Sequence, residues 1–309
     1  MSSHRLIKQQ VGRFAPSPTG ILHFGSLVTA VASFCHAKQS GGKWLVRIDD
    51  LDQPRVVVGA ADIILHQLDS LGLHWDSNII YQSKRYSRYE EIIDWLNDQN
   101  LIYPCICSRK HIVASAPHFG DDGPIYPGTC LRITPNGQEP AAMRIKTGQR
   151  NRITFSDLIQ GEIKQDIANE IGDFILRRRD GVFAYQLAVV IDDYDSGVTQ
   201  VVRGRDLLSS TTRQIFLSQQ LKFTTPTYAH LPLALNCTGE KISKRHHQID
   251  ANIYSNGSKL IFKTLQFLGQ NPPSGLRGES PQQLLRWACD NFSLSSVPKV
   301  DSYVPLERH

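Results

Sequence analysis

No stretch of this sequence comes near the ~20 consecutive apolar residues that a membrane-spanning helix needs. The opening residues MSSHRLIKQQ contain no apolar run of the secretory type, so export is not expected. Cysteine is sparse: six in 309 residues, at positions 35, 105, 107, 130, 237 and 289, of which only three cluster. That argues against a disulfide framework and suits a reduced, cytoplasmic protein with one possible metal site. Internal repeats and low-complexity tracts are absent as well, which excludes a repeat architecture. Charge is muted. The net value is +5 and the pI ≈ 8.9, compatible with a nucleic-acid partner without requiring one.

What is present is an ordinary soluble composition, 40% hydrophobic and 20% charged, in a chain long enough for one large domain or two modest ones. KWLVRI (43–48) reads as a buried strand. VVVGAADIILHQLDSLG (56–72) has helical spacing and stops at Gly72, and SRYEEIIDWLNDQN (87–100) is a second amphipathic helix. Such alternation predicts an α/β fold with a parallel sheet. From about Tyr103 the chain turns irregular and rich in Cys, His, Gly and Pro. Short strand-like runs follow at 141–146, 152–158 and 174–179, so residues of about 103–182 read as an inserted subdomain. The stretch 183–208 reads as long apolar strands forming the second half of the sheet. A helix (209–221), the strand YAHLPLAL (228–235) and the basic segment KISKR (241–245) come next, and two helix candidates lie at 258–269 and 281–290.

GRFAPSPTGILHFGSL (12–27) carries the first chemical signal. Pro16, Pro18 and Gly20 punctuate a loop, because proline fixes φ and glycine permits φ > 0. GSLVTAVASFCHAK then has the composition and period of a helix. The loop therefore delivers His23 to a helix N-terminus, where exposed N–H groups suit phosphate.

RFAPSPTG-x-x-H-x-G-S near the start, combined with K-I-S-K after a second sheet half, resembles the class I aminoacyl-tRNA synthetases and their HIGH and KMSKS elements. The wording GRFAPSPTG, RIDDLD, VVRGRDLL, LPLALN and KISKR narrows the likeness to the glutamyl branch; the glutaminyl branch would show a Pro-Glu pair in the loop of Ala15 to Ser17. The likeness runs from about residue 12 to residue 245. It implies a Rossmann-type parallel sheet in a catalytic domain over 1–245, the inserted subdomain carrying zinc, and a short helical region over 246–309.

Activation in this class is attack of an amino-acid carboxylate on the α-phosphate of ATP, so the protein aligns reactants and neutralises developing charge. The resemblance assigns His23 and Lys244 to catalysis, with Lys241 in support and Ser26 in place of the second histidine. Lys244, on a loop containing Gly239, closes over the departing pyrophosphate, and His23, Gly25 and Lys244 hold the nucleotide. Glutamate contacts fall on Arg13, Phe14, Ala15, Pro16, Ser17, Tyr185 and Arg203, arginine being suited to bidentate carboxylate binding. The α-ammonium falls to Asp49, one methylene shorter than the usual glutamate; from the residues alone RIDDLD also reads as an acidic strand end on the surface. Mg²⁺ is expected on the ATP phosphates without a protein cage.

Cys105-x-Cys107 and Cys130 offer three thiolates to one structural zinc per chain. Spacing alone leaves the fourth ligand open among nearby groups, including His111 and His118; the resemblance points to Tyr126. Beyond KISKR only residues 246–309 follow, where glutamyl-tRNA synthetases carry large anticodon-contacting domains. The sequence is thus similar to the truncated paralogues of those enzymes. The implied partners are L-glutamate, ATP and the anticodon stem-loop of tRNA(Asp) carrying queuosine, whose cyclopentenediol receives glutamate activated without tRNA; no membrane is involved. Arg177, Arg178 and Arg179 offer either phosphate contacts or a solvated face. Two other readings are a minimal synthetase charging an acceptor end and an inactive tRNA-binding paralogue.

Overall fold

A computed structural model describes residues 9–120, 123–133, 139–149, 151–242 and 253–304. Its first half is a parallel sheet in the order β1 (Val11–Phe14), β2 (Lys43–Ile48), β3 (Ile80–Tyr81), linked by helices α1 (Phe24–Gln39) and α2 (Ala60–Ser70). Helix α1 is apolar on nearly every face because the sheet covers one side and the C-terminal helices cover the other. Its approach to β1 is close: a Cβ on Gly12 would stand 3.0 Å from that of Ala37, tighter than ordinary van der Waals contact. Trp44 fills the layer between, stacked near Phe14, edge-on to Phe34, and donating its indole N–H to Ser33 Oγ.

Helix α3 (Tyr86–Asp98) leads into β4 (Ile102–Cys105), the start of a segment with its own small sheets. This segment holds α4 (Arg109–Ser115), the β5 (Phe119–Gly120) and β6 (Gly123–Pro124) hairpin, α5 (Thr129–Arg132) and β7 (Ala142–Ile145). After the β8 (Arg152–Asp157) and β9 (Gly161–Asp166) hairpin, β10 (Ile175–Arg177) returns to pair antiparallel with β7, which also pairs with β4.

The second half-sheet joins β11 (Gln200–Gly204) and β12 (Thr227–Leu231) in parallel and extends to β8. Helix α6 (Tyr185–Asp195) precedes β11, and α7 (Leu208–Gln220) crosses between β11 and β12. Strand β11 lies beside β1, where Thr199 N–H donates to Val11 O at 2.9 Å. Short β13 (Ala234–Leu235), helices α8 (Ile253–Phe267) and α9 (Pro281–Asn291), and β14 (Ser302–Tyr303), parallel to β13, complete the described chain. The α/β class and the parallel sheet agree with the sequence reading.

Three local readings need correction. The helix expected from residue 56 begins at Ala60, because Val56 is extended and Val57–Ala60 form a turn, closed by Ala60 N–H on Val57 O, with Gly59 at φ +77; Val57 N–H instead donates to Pro18 O. Tyr185–Asp195 is helix rather than strand: five consecutive residues, Leu187–Ile191, are buried, so neither period shows. YAHLPLAL is two strands, since Pro232 has no N–H to continue the ladder.

Candidate active site

The C-terminal ends of β1 and β11 meet in a cavity of about 260 Å³, the crevice that parallel α/β sheets leave beyond their strand ends. The structure brings together there most of the residues singled out by sequence. Arg13 and Phe14 end β1, and the loop through Ala15, Pro16 and Ser17 forms one wall. His23, Gly25 and Ser26 begin α1, Tyr185 begins α6, Arg203 ends β11, and Lys241 stands at the lip. The loop is anchored from two sides, by Asp49 N–H on Pro16 O at 3.0 Å and Val57 N–H on Pro18 O at 2.9 Å.

His23 is the N-cap of α1. Its Nδ1 accepts from Ser26 N–H at 3.3 Å, which leaves the ring proton on Nε2 and makes that edge a donor. Gly25 leaves room for this ring: a Cβ there would lie 3.2 Å from His23 Cε1, closer than ordinary van der Waals contact.

The two arginines of the cavity are both buried, and they are held differently. Arg13 Nε donates to both oxygens of Asp193 at 3.3 Å, and Arg47 Nη1 reaches the same carboxylate at 2.6 Å. Burial works to raise the Asp193 pKa, but Arg13 and Arg47 outweigh it and hold the group below the usual carboxylate range. Arg203 has no ion pair among the described residues. Its Nε meets His230 Nε2 at 3.1 Å, its Nη1 meets Tyr185 Oη at 3.3 Å, and its Nη2 donates to Thr211 Oγ1 at 2.7 Å.

Asp49 is placed elsewhere. It is absent from the cavity wall, and its carboxylate receives Arg47 Nε at 2.7 Å. Burial raises its pKa against the pull of Arg47. It is not a surface carboxylate, and the Arg47 that engages it lies between it and Asp193. Lys241 pairs with Asp206, also a wall residue, and is delivered by a tight turn in which Asn236 Oδ1 accepts from the N–H groups of Thr238 and Glu240. Lys244 lies outside the described residues.

A second cluster sits on the segment between β4 and β7. The sulfurs of Cys105, Cys107 and Cys130 lie within 4.8 Å of one another. Tyr126 Oη stands 3.4 Å from Cys105 Sγ and 3.5 Å from Cys107 Sγ, and accepts from Cys130 N–H at 2.8 Å. Three soft thiols and a phenol oxygen around one point fit a tetrahedral metal ion. His118 is turned away, its Nε2 2.6 Å from Asn169 O, and His111 is exposed. The arginine run is also engaged within the chain: Arg177 with Glu90, Arg178 with Asp180, and Arg179 with Ile106 O.

Sequence reasoning missed Asp193, Arg47, Asp157 and His230. The pair Asp192-Asp193 was within view, but the stretch around it read as strand and gave the carboxylates no inward direction.

Residues 10–283 match the family described as tRNA synthetases class I (E and Q), catalytic domain. A Glutamyl-Q tRNA(Asp) synthetase of Geobacter sulfurreducens is 49% identical over 93% of both chains. A protein of the same description from Dechloromonas aromatica is 47% identical over 93% of this chain and 95% of its own. The fold is similar to that of a glutamate–tRNA synthetase from Elizabethkingia anophelis, with TM-score 0.79 and 23% identity over 97% of this chain and 69% of that one. No helix among the described residues is long and apolar enough to cross a membrane.

Proposed function

This chain belongs to the class I tRNA synthetases for glutamate and glutamine, and from that premise we propose that it activates L-glutamate with ATP and transfers it to queuosine in the anticodon loop of tRNA(Asp). The observation that carries the reading is the near-full-length likeness to proteins described as Glutamyl-Q tRNA(Asp) synthetase, at 47–49% identity. The cavity is consistent with it. Arg13 and Arg203 converge from the two half-sheets on a space suited to a dicarboxylic amino acid, with Tyr185 and the Ala15–Ser17 loop completing the wall. His23 Nε2–H then donates to an α-phosphate oxygen as the glutamate carboxylate attacks and pyrophosphate leaves. Gly25 and Ser26 sit beside it, and Lys241 with Lys244 neutralise the leaving group. Mg²⁺ travels on the ATP phosphates. In the second step a cyclopentenediol hydroxyl displaces AMP from the adenylate, giving a glutamyl ester. Asp49, whose carboxylate is engaged by Arg47, meets the substrate ammonium only through a bridging water or after a shift of Arg47. ATP and tRNA place this work in the cytoplasm.

The acceptor is tested with ATP, labelled glutamate and tRNA(Asp) that contains or lacks queuosine, each with and without its 3′-terminal adenosine. Label should require queuosine and survive removal of the adenosine. Label on queuosine-free tRNA that disappears with the adenosine would identify an acceptor-end synthetase instead.

Zinc belongs to the same proposal. Cys105, Cys107, Cys130 and Tyr126 would hold one ion whose contribution is to cross-link a segment with little apolar core of its own. Metal analysis of reduced, tag-free protein should find one zinc per chain; Cys130→Ser should lose it, and His118→Ala should keep it. A metal-free preparation, or retention in Cys130→Ser, would reject the site.

A further inference from the structure

Arg203 and His230 face each other across the parallel pair β11–β12, where the register sets them directly opposite. Both are buried, at 4% and 0% exposure. His230 Nδ1 lies 2.6 Å from Asp157 Oδ2, and the other oxygen of Asp157 accepts the N–H groups of Ile159, Gln160 and His230 at 2.8–3.2 Å. A carboxylate so fully supplied with donors stays ionised; burial opposes this, yet the bond to His230 holds Asp157 below its ordinary range. An ionised Asp157 needs a donor at Nδ1, so the imidazole proton sits there. Nε2 is left with a lone pair, and Arg203 Nε–H is the donor 3.1 Å away. Protonating Nε2 would place a second cation against the guanidinium; burial first, and Arg203 in addition, lower the His230 pKa accordingly.

We infer that His230 is a positioning residue for substrate: oriented by Asp157, it fixes Arg203 toward the cavity through a neutral acceptor. Arg13 shows the alternative. Its partner Asp193 is a carboxylate and cancels much of its charge, whereas the hydrogen-bond partners of Arg203 among the described residues are an imidazole, two hydroxyls and the Leu207 carbonyl, with the Tyr228 ring 5.5 Å from its guanidinium. Arg203 thus keeps its charge for a carboxylate of the amino acid, and rigidity costs it nothing in electrostatic attraction. Thr211 is the second tether, accepting from Nη2 at 2.7 Å and itself 3.0 Å from His230 Nε2.

This inference rests on the glutamate-activating reading, and the test separates the two. ATP–pyrophosphate exchange is measured without tRNA, with glutamate and ATP varied independently. His230→Asn offers its carboxamide only near the Nδ1 position, so it should raise KM for glutamate about 10- to 100-fold, the value of one charge-assisted hydrogen bond, and leave KM for ATP within about twofold. His230→Gln reaches the Nε2 position with a neutral oxygen and should hold KM for glutamate within about fivefold of the parent. Unchanged glutamate KM in folded His230→Asn, parallel rises in both KM values, or a glutamine variant as impaired as the asparagine one would overturn the inference. So would insolubility of His230→Gln, which would assign His230 to core packing. Absence of glutamate-dependent exchange in the unmodified protein would remove the glutamate reading, and this inference with it.

Discussion

Asp193→Ala should cost about 3–5 kcal/mol of folding stability, because it leaves buried arginine charge without its counter-ion. Arg13 and Arg47, exposed by only 4% and 3%, both bond this one carboxylate. Arg47 retains Asp49 at 2.7 Å and Asp192 at 3.8 Å, but Arg13 has no other ion pair among the described residues. The loss therefore falls chiefly on Arg13, and glutamate binding should weaken along with stability. The pH dependence has a definite sign. Asp193 is held below its ordinary pKa when folded, so its contribution is present above the unfolded value of about 4 and disappears as pH falls through the folded one. Urea titrations of the parent and of Asp193→Asn should differ most near neutrality and converge on acidification. A difference of less than about 1 kcal/mol at neutral pH would mean that water or rearrangement already compensates the pair.

The second large effect is kinetic. His23 caps α1 through Nδ1, and in the proposed reaction its Nε2–H also addresses phosphate. His23→Ala should lose about 1 kcal/mol of stability from the missing cap and slow adenylate formation about 10²–10³-fold from the missing donor. His23→Asn separates the two functions. Asparagine is among the best N-caps, so stability should return, but its side chain is too short to replace Nε2 and the rate should stay low. Denaturation midpoints read beside pyrophosphate exchange make the comparison. A fast His23→Asn enzyme would remove the histidine from the phosphate step and leave it only the cap.

How far the sequence could be read depended on whether a residue's role is local. The loop, His23 at a helix start and the KWLVRI strand are all set by neighbours within a few positions, and each is found where composition and spacing put it. The Cys105–Cys130 cluster was visible for the same reason, as was Tyr126, through the resemblance. The supports of Arg13 and Arg203 were not. Asp193 lies 180 residues from Arg13, and Asp157 lies 73 from His230. Nothing near those positions distinguishes a buried counter-ion from a surface carboxylate. The misread of Tyr185–Asp195 has another cause: a helix enclosed on all sides has no polar stripe, and its run of apolar residues then matches a strand equally well. Asp49 shows the converse, a motif position whose neighbour Arg47 decides what it touches.

The pairing of β13 with β14 bears on the order of events at the ribosome. By the time Ile242 has been made, every described residue that lines the cavity exists. The strand that fastens the root of the Lys241 turn does not. Ser302 and Tyr303, with Asp301 accepting from Leu233 N–H at 2.7 Å, are synthesised only after both C-terminal helices. During translation the nascent chain thus carries all the described lining residues with one lip unfastened, and the fastening comes from a segment, Asp301–Tyr303, that is not among them.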